Sequence, residues 1–243
     1  MKEVTTVLSV VHRLDYLSSQ IESIENQTID SDIMIIWRAG CKYPLKYPAI
    51  IYANESEHFN SLYGRFYNSL HIKTPYIFIV DDDILPGEKY IERCINFSKE
   101  HNDKVVVATY GVSFKSNSTF YDVKERIGPK HFLKEPTKVD MGGQGWFMKT
   151  ELLQHFLYDK LKEEGSGEDL HFSYCLFKNN IPIYIIDKDK EDQQTWQDLT
   201  LGERGADDQA QWRQSQHKSI RNKLIKHYSD KGWLSRKGNS TLI

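Results

Sequence analysis

Short apolar runs alternate along the chain with longer stretches in which apolar residues return every three or four positions. Thr5 to Val11 is β-branched and apolar, and predicts a buried strand. Leu14, Leu17, Ile21 and Ile24 follow at helical spacing and predict an amphipathic helix ending near Asn26. Asp32 to Trp37 and Ala49 to Tyr52 predict two further strands, and Asn60 to Leu70 a short helix bearing Leu62, Phe66 and Leu70. Tyr76 to Val80 (YIFIV) is the strongest strand signal, and it runs directly into Asp81-Asp82-Asp83. Pro86-Gly87 turns the chain into a helix carrying Tyr90, Ile91, Cys94 and Phe97, and Val105 to Thr109 predicts another central strand.

Residues 111 to 138 are mixed and polar and predict loop or edge structure. Trp146 to Met148 predicts a short strand, Thr150 to Tyr158 a helix, and Gly165-Ser166-Gly167 a break. Glu168 to Asn179 predicts a helix and Ile181 to Ile186 the last strand. This alternation predicts an α/β domain over residues 1–187, its sheet mostly parallel and flanked by helices. The polar stretch 188–208 is expected to be a mobile loop. Residues 209–243 are expected to be a C-terminal helix (Gln209 to Lys231) and tail packed on the same domain.

Composition narrows the function classes. The 243 residues suit one domain with an extension, and the formal net charge of −2 supplies no basic field for nucleic acid or anionic lipid. Three distant cysteines, Cys41, Cys94 and Cys175, make neither a zinc spacing nor a disulfide framework. The N-terminus enters a strand directly, and no apolar stretch approaches membrane-spanning length. These features predict a soluble, cytoplasmic protein without membrane insertion.

Three adjacent carboxylates at the end of an apolar strand repel one another and need a compensating cation. Strand alternation sends Asp81 and Asp83 to one side and Asp82 to the other. Two same-side carboxylates at this edge of an open α/β sheet suit Mg²⁺ or Mn²⁺ with open positions for substrate phosphates. A solvated acidic turn is the alternative.

Residues Tyr76 to Asp83 resemble the strand and DxD motif of GT-A-fold glycosyltransferases. Val7 to Gln27 resembles the opening strand, Arg-bearing loop and helix of family 2 glycosyltransferases. Asn60 to Asp83 resembles the exostosin-type transferase domain, and Gly167 to Ile186 its later Glu-Asp helix and strand. Similar small transferases serve viral and bacterial glycan assembly. The resemblance implies a GT-A fold, a nucleoside-diphosphate sugar donor, UDP foremost, a glycan acceptor, and Mn²⁺ or Mg²⁺.

The resemblance also implies roles for single residues. The nucleotide lies near His12, Arg13 and Asp15, although Asp15 equally suits a helix cap. Asn60 and Arg65 face the donor, and an Arg there relieves carboxylate repulsion. Asp83 is assigned to metal with Asp81 as a second ligand, and Asp81 and Asp82 to donor contacts. Gly143, Gln144, Gly145 and Trp146 border the transferred sugar and acceptor, with Trp146 offering a flat face; a core Trp is the alternative. Asp169, with Glu168 as the second choice, is assigned to catalysis, although the helix dipole alone favours acids there. His217 is a weaker metal candidate, with a surface His the simpler reading, and His171 is left open. Arg204 is assigned to closing over the diphosphate, with Arg213 and Arg221 as alternatives.

Three competitors remain. A sugar nucleotidyltransferase wants a Gly-rich loop after the first strand, where this chain reads Val11-His12-Arg13-Leu14-Asp15. A non-enzymatic glycan-binding domain has no use for three adjacent aspartates. A metal phosphohydrolase would show a multi-His ligand set.

Overall fold

The computed structural model describes residues 2–10, 13–37, 50–52, 62–115, 123–128, 131–160, 166–189, 191–192, 194–195, 213 and 216–234. In chain order they form β1 (Val4–Val10), α1 (Leu14–Glu25), β2 (Ser31–Trp37), β3 (Ile50–Tyr52), α2 (Gly64–Ser69), β4 (Tyr76–Asp81) and α3 (Tyr90–Glu100). There follow β5 (Val106–Phe114), β6 (Val123–Ile127), β7 (Thr137–Val139), β8 (Met141–Lys149), a 3-10 helix (Thr150–Leu157), α4 (Glu168–Lys178), β9 (Ile183–Ile185) and α5 (His217–Asp230). Among the described residues the strands form one sheet in the order β3-β2-β1-β4-β8-β5-β9-β7, with β6 on β5.

The period-two alternation of β4 explains the layers. Tyr76, Phe78 and Val80 pack with Leu17, Ile21 and Ile24 of α1 and with Tyr90, Ile91 and Cys94 of α3. Ile77 and Ile79 enter the opposite cluster, with Phe66 of α2, Leu153 and Phe156 of the 3-10 helix, and Phe172 and Leu176 of α4. Both faces are covered, so β4 is apolar at every position until its last. Each such side chain contributes about 1.5–3 kcal/mol on burial. A third cluster seats Leu224 and Tyr228 of α5 against Leu170 and Tyr174 of α4 and Val112 and Met141 of the sheet.

Two pairings position the site. β1 and β4 are parallel, with Leu8 opposite Val80 and Ser9 opposite Asp81, so the residues leaving β1 meet the acidic turn. β4 and β8 are antiparallel, with Val80 opposite Gly145, which sets the glycine-rich segment beside it.

The elements differ from expectation where glycine obscures the pattern. β5 runs on to Phe114, β6 and β7 are peripheral strands in the stretch 111–138 expected as loop or edge structure, and β8 starts at Met141, ahead of the strand expected from Trp146. The glycines serve close packing of side chains. A Cβ at Gly142 would come within 2.9 Å of Ala108 and Trp146, and one at Gly145 within 2.6 Å of Thr109. The terminal helix begins at His217.

The described part of the loop expected over 188–208 is anchored. Lys188 bridges Leu133, and the Thr195 and Gln194 carbonyls accept from Gly87 and Lys89 at 2.9 and 2.8 Å. Arg93 pairs with Asp187 and Asp192 at 2.7 and 2.8 Å. Cys94 and Cys175 are free and buried. Among the described residues no helix is long and apolar enough to cross a membrane.

Candidate active site

β4 ends at Asp81 because the chain turns there: the Ile84 N–H donates to the Asp81 carbonyl at 3.3 Å. Asp82 and Asp83 therefore lie in a turn, and the strand alternation expected to pair Asp81 with Asp83 stops at Asp81. The side chains sort themselves by cation instead. Arg13 Nη1 stands 2.6 Å from Asp82 Oδ1 and 3.5 Å from Asp83 Oδ2. Arg65 pairs with Asp81 and, through Nη2, with Glu168 Oε1 at 2.8 Å.

Asp83 is only 9% exposed, and its Oδ1 has no hydrogen-bond partner among the described residues. Burial pushes its carboxyl up to about 6 despite the opposing pull of Arg13.

The second acidic pair opens α4, which starts from Gly167 at φ 89°, a left-handed conformation open to glycine. Glu168 is buried, and its Oε2 has no partner among the described residues. Burial, then the neighbouring Asp169, raises its carboxyl above the ordinary value. Asp169 is ion-paired with Arg221 of α5. Burial works against the charged form of Arg221, but Asp169 and Glu168 outweigh it and hold the guanidinium charged.

His217 lies one turn before Arg221 on α5. It is buried rather than at the surface, which corrects the simpler expectation. Burial and the Arg221 charge push it down to about 4, so it is neutral at pH 7.

The structure thus brings together Arg13, Arg65, Asp81, Asp82, Asp83, Glu168, Asp169, Arg221 and His217, contributed by the β1–α1 junction, α2, the β4 turn, α4 and α5. Asp15 is exposed in the first turn of α1. His12, Asn60 and Arg204 lie outside the described residues, and Arg213 is exposed. Of these alternatives, Arg221 pairs with Asp169 of the cluster.

Trp146 departs from its expected role. It is wholly buried, edge-on to Phe66 and tilted on Phe172, so it offers no open face to a sugar. His171 is a core residue, its ring nitrogens 2.8 Å from the Tyr228 hydroxyl and the Phe156 carbonyl.

One positioning residue escaped the motif reading. Gln20 Nε2 donates to the Asp81 carbonyl at 2.6 Å and to the Ile84 carbonyl at 2.9 Å, clamping the acidic turn to α1. Its signal was present: Gln20 falls three after Leu17 and four before Ile24, a polar residue on an apolar stripe.

Among the described residues no group of three or more His, Cys, Asp or Glu is gathered to hold a metal ion. The acidic turn supplies the one or two carboxylates that Mg²⁺ uses alongside substrate phosphates. The unmet, buried Oδ1 of Asp83 fits that requirement.

Comparison with known proteins bears on the fold and the family. No curated protein matches the chain. The crystal structure of S. aureus TarS matches with a TM-score of 0.52 at 14% identity, over 78% of this chain and 36% of that one. The crystal structure of S. aureus TarS 1-349 matches with a TM-score of 0.53 at 13% identity, over 78% of this chain and 59% of that one. The chain spans less than two thirds of either, and at such identity the likeness concerns the fold: α/β, GT-A-like, with a mixed central sheet flanked by helices. The sequence profile of the glycosyl transferase family 64 domain matches residues 4–126, just over half of the chain and the part that carries β1, Arg13, Arg65 and the acidic turn. This chain belongs to glycosyl transferase family 64.

Proposed function

We propose that the chain is a metal-dependent glycosyltransferase that moves a sugar from a nucleoside-diphosphate donor, UDP foremost, to a hydroxyl of a glycan acceptor. The observation that carries this reading is the buried Asp83 oxygen that has no partner among the described residues, in a turn ringed by two guanidinium groups. An anionic oxygen left unmet in a buried site costs stability unless a cationic ligand arrives.

Asp83, with the half-buried Asp81 as a second ligand, would hold Mn²⁺ or Mg²⁺. When bound, such an ion neutralises the charge that develops on a departing diphosphate. The protein groups do the rest. Arg13 and Arg65 offset the carboxylates and give the diphosphate cationic partners. Asp169 accepts the hydrogen bond of the acceptor hydroxyl and aligns its oxygen, while the ion pair with Arg221 fixes that carboxylate in place. His217, neutral at pH 7, adds no competing charge. The free, buried Cys94 and Cys175 fit a reducing compartment.

Thermal unfolding with UDP, GDP, CMP and ADP, each with Mn²⁺ or EDTA, tests the reading. A ligand at about 100 times its dissociation constant adds roughly 2.7 kcal/mol. Stabilisation by one diphosphate only with metal, lost in Asp83→Ala, is the expected result. No shift with any nucleotide in a cooperatively unfolding sample overturns it.

A further inference from the structure

Two struts tie the start of α2 to the start of α4. The hydroxyl of Tyr63, directly before α2, donates to the Ser166 carbonyl at 3.0 Å. Arg65 Nη2 donates to Oε1 of Glu168, the first residue of α4, at 2.8 Å. Both residues of this second strut are buried. The Arg65 guanidinium carbon lies 5.3 Å from the centre of the Phe66 ring, which supports its flat face. The other terminal nitrogen, Nη1, is ion-paired with Asp81. Arg65 is thus shared between the acidic turn and α4.

This sharing leaves one donor and one acceptor unmet. Arg65 Nε and Glu168 Oε2 are both buried, and neither has a hydrogen-bond partner among the described residues. The two are complementary. On a guanidinium, the Nε–H and one Nη2–H point the same way and match the two oxygens of a single carboxylate. Arg65 already uses Nη2 on Glu168 Oε1, so the bond missing from that fork is Nε to Oε2. The pull of Asp81 on Nη1 accounts for the open fork. Asp81 and Glu168 also differ in access: their side chains are 29% and 5% exposed. A cation entering from solvent meets Asp81 first, and a divalent charge outcompetes one guanidinium for that carboxylate.

We infer that Glu168 is a positioning residue that takes Arg65 over when a divalent cation occupies Asp81: the guanidinium closes a two-bonded fork on Glu168, Nη2 to Oε1 and Nε to Oε2, and releases Nη1 from Asp81 to the diphosphate. The inference rests on the proposed function, whose cation is the trigger, and deepens it. Closing the fork satisfies both unmet groups at once. It also reaches the acceptor side. Gly167, before Glu168, is packed so closely on α5 that a Cβ there would come within 2.2 Å of Leu224 Cδ1. The first turn of α4 is therefore held by Leu224 on one side and by the closed fork on the other. Asp169, the next residue, is fixed most firmly once the cation is in place.

Nuclear magnetic resonance of protein labelled at the arginine Nε tests it, because this atom reports directly on the fork. The wild type, Glu168→Gln and Asp81→Asn are each recorded metal-free and then with saturating Mg²⁺ and UDP. Mg²⁺ is used because it is diamagnetic. The Arg65 resonance is assigned by correlation to its own backbone. Its proton shift and its exchange with solvent are measured, and UDP binding is followed in parallel by thermal shift.

In the wild type, Mg²⁺ and UDP should move the Arg65 Nε–H proton downfield and slow its exchange about tenfold or more. In Glu168→Gln, whose amide cannot accept both bonds of the fork, the same addition should leave the resonance where it was. Asp81→Asn should show the downfield, protected resonance with no metal present, because the competing charge is gone. Asp81 is the more exposed carboxylate, so this variant decides the matter even if Glu168→Gln does not fold. Three results overturn the inference. One is an unchanged Arg65 resonance in a wild type that binds UDP with Mg²⁺. Another is the wild-type response in folded Glu168→Gln. The third is an Asp81→Asn resonance identical to that of the metal-free wild type. A wild type that binds no nucleotide with metal overturns the proposed function itself, and the cation-driven step falls with it.

Discussion

The two ends of β4 treat charge in opposite ways. At its start, Asp103 accepts from the Tyr76 hydroxyl at 2.8 Å, the Ser98 hydroxyl at 3.1 Å and Lys149 Nζ at 3.2 Å. Burial pushes this carboxyl up, and those hydrogen bonds overcome it and hold it below the ordinary value. At the far end Asp83 is pushed up to about 6 and Glu168 is raised as well, each with an oxygen unmet among the described residues.

A groove of 380 Å³, lined by Ser69, Lys73, Thr74, Lys149, Thr150 and Glu151, lies at the satisfied end. Unmet chemistry among the described residues therefore lies at the opposite end of the strand from this groove. The carboxylates left dissatisfied by folding have more to gain from a ligand than the satisfied Asp103 does.

Removing Arg65 tests this contrast most severely. Its guanidinium joins two carboxylates at the dissatisfied end and is 3% exposed. Arg65→Met should cost about 3–5 kcal/mol in urea unfolding, because it leaves buried charge uncompensated. Adding Glu168→Gln to that variant should recover part of the loss. Lys149→Met, at the satisfied end, should cost no more than about 1 kcal/mol, since the Lys149–Asp103 pair is partly solvated. Equal losses at both ends would erase the distinction.

The two aspartates should next respond with opposite signs. In metal-free buffer at pH 7, Asp83→Asn should stabilise the fold by about 2 kcal/mol, since the native carboxyl favours its neutral form. The same substitution should abolish metal-dependent stabilisation by UDP. Asp103→Asn should destabilise by about 1–2 kcal/mol through lost charge-assisted hydrogen bonds. A destabilised Asp83→Asn variant would mean that the acidic turn is structural.

Much of this end of the molecule is legible in the sequence. YIFIV followed by three aspartates specifies a covered central strand and a charged terminus, and Arg65 fits the compensating cation that the carboxylates require. In the glycine-rich segment Met141 to Trp146 the tryptophan is misleading. The segment's glycines suggest room for a ligand, whereas Gly142 and Gly145 admit Trp146 and Thr109 into the packing. Trp146 is a core residue for that reason. Arg221 and His217 reach the site because α5 folds back on α4, a long-range contact with no local signature.

The smallest effect sharpens the comparison within the dissatisfied end itself. Asp83 and His217 titrate in overlapping windows with opposite consequences. Asp83, raised to about 6, binds a proton more readily when folded, so its charged form costs stability at pH 7 and the cost fades as pH falls from about 6 towards 4. His217, lowered to about 4, binds a proton more readily when unfolded, so its cost is absent at pH 7 and grows as pH falls from about 6.5 towards 4. The advantage of Asp83→Asn over wild type should therefore shrink on acidification, while that of His217→Gln should grow, reaching on the order of 1 kcal/mol near pH 5. Urea midpoints at half-unit pH steps give both difference curves. If the two curves run parallel, His217 does not share the buried environment of Arg221 and Asp169.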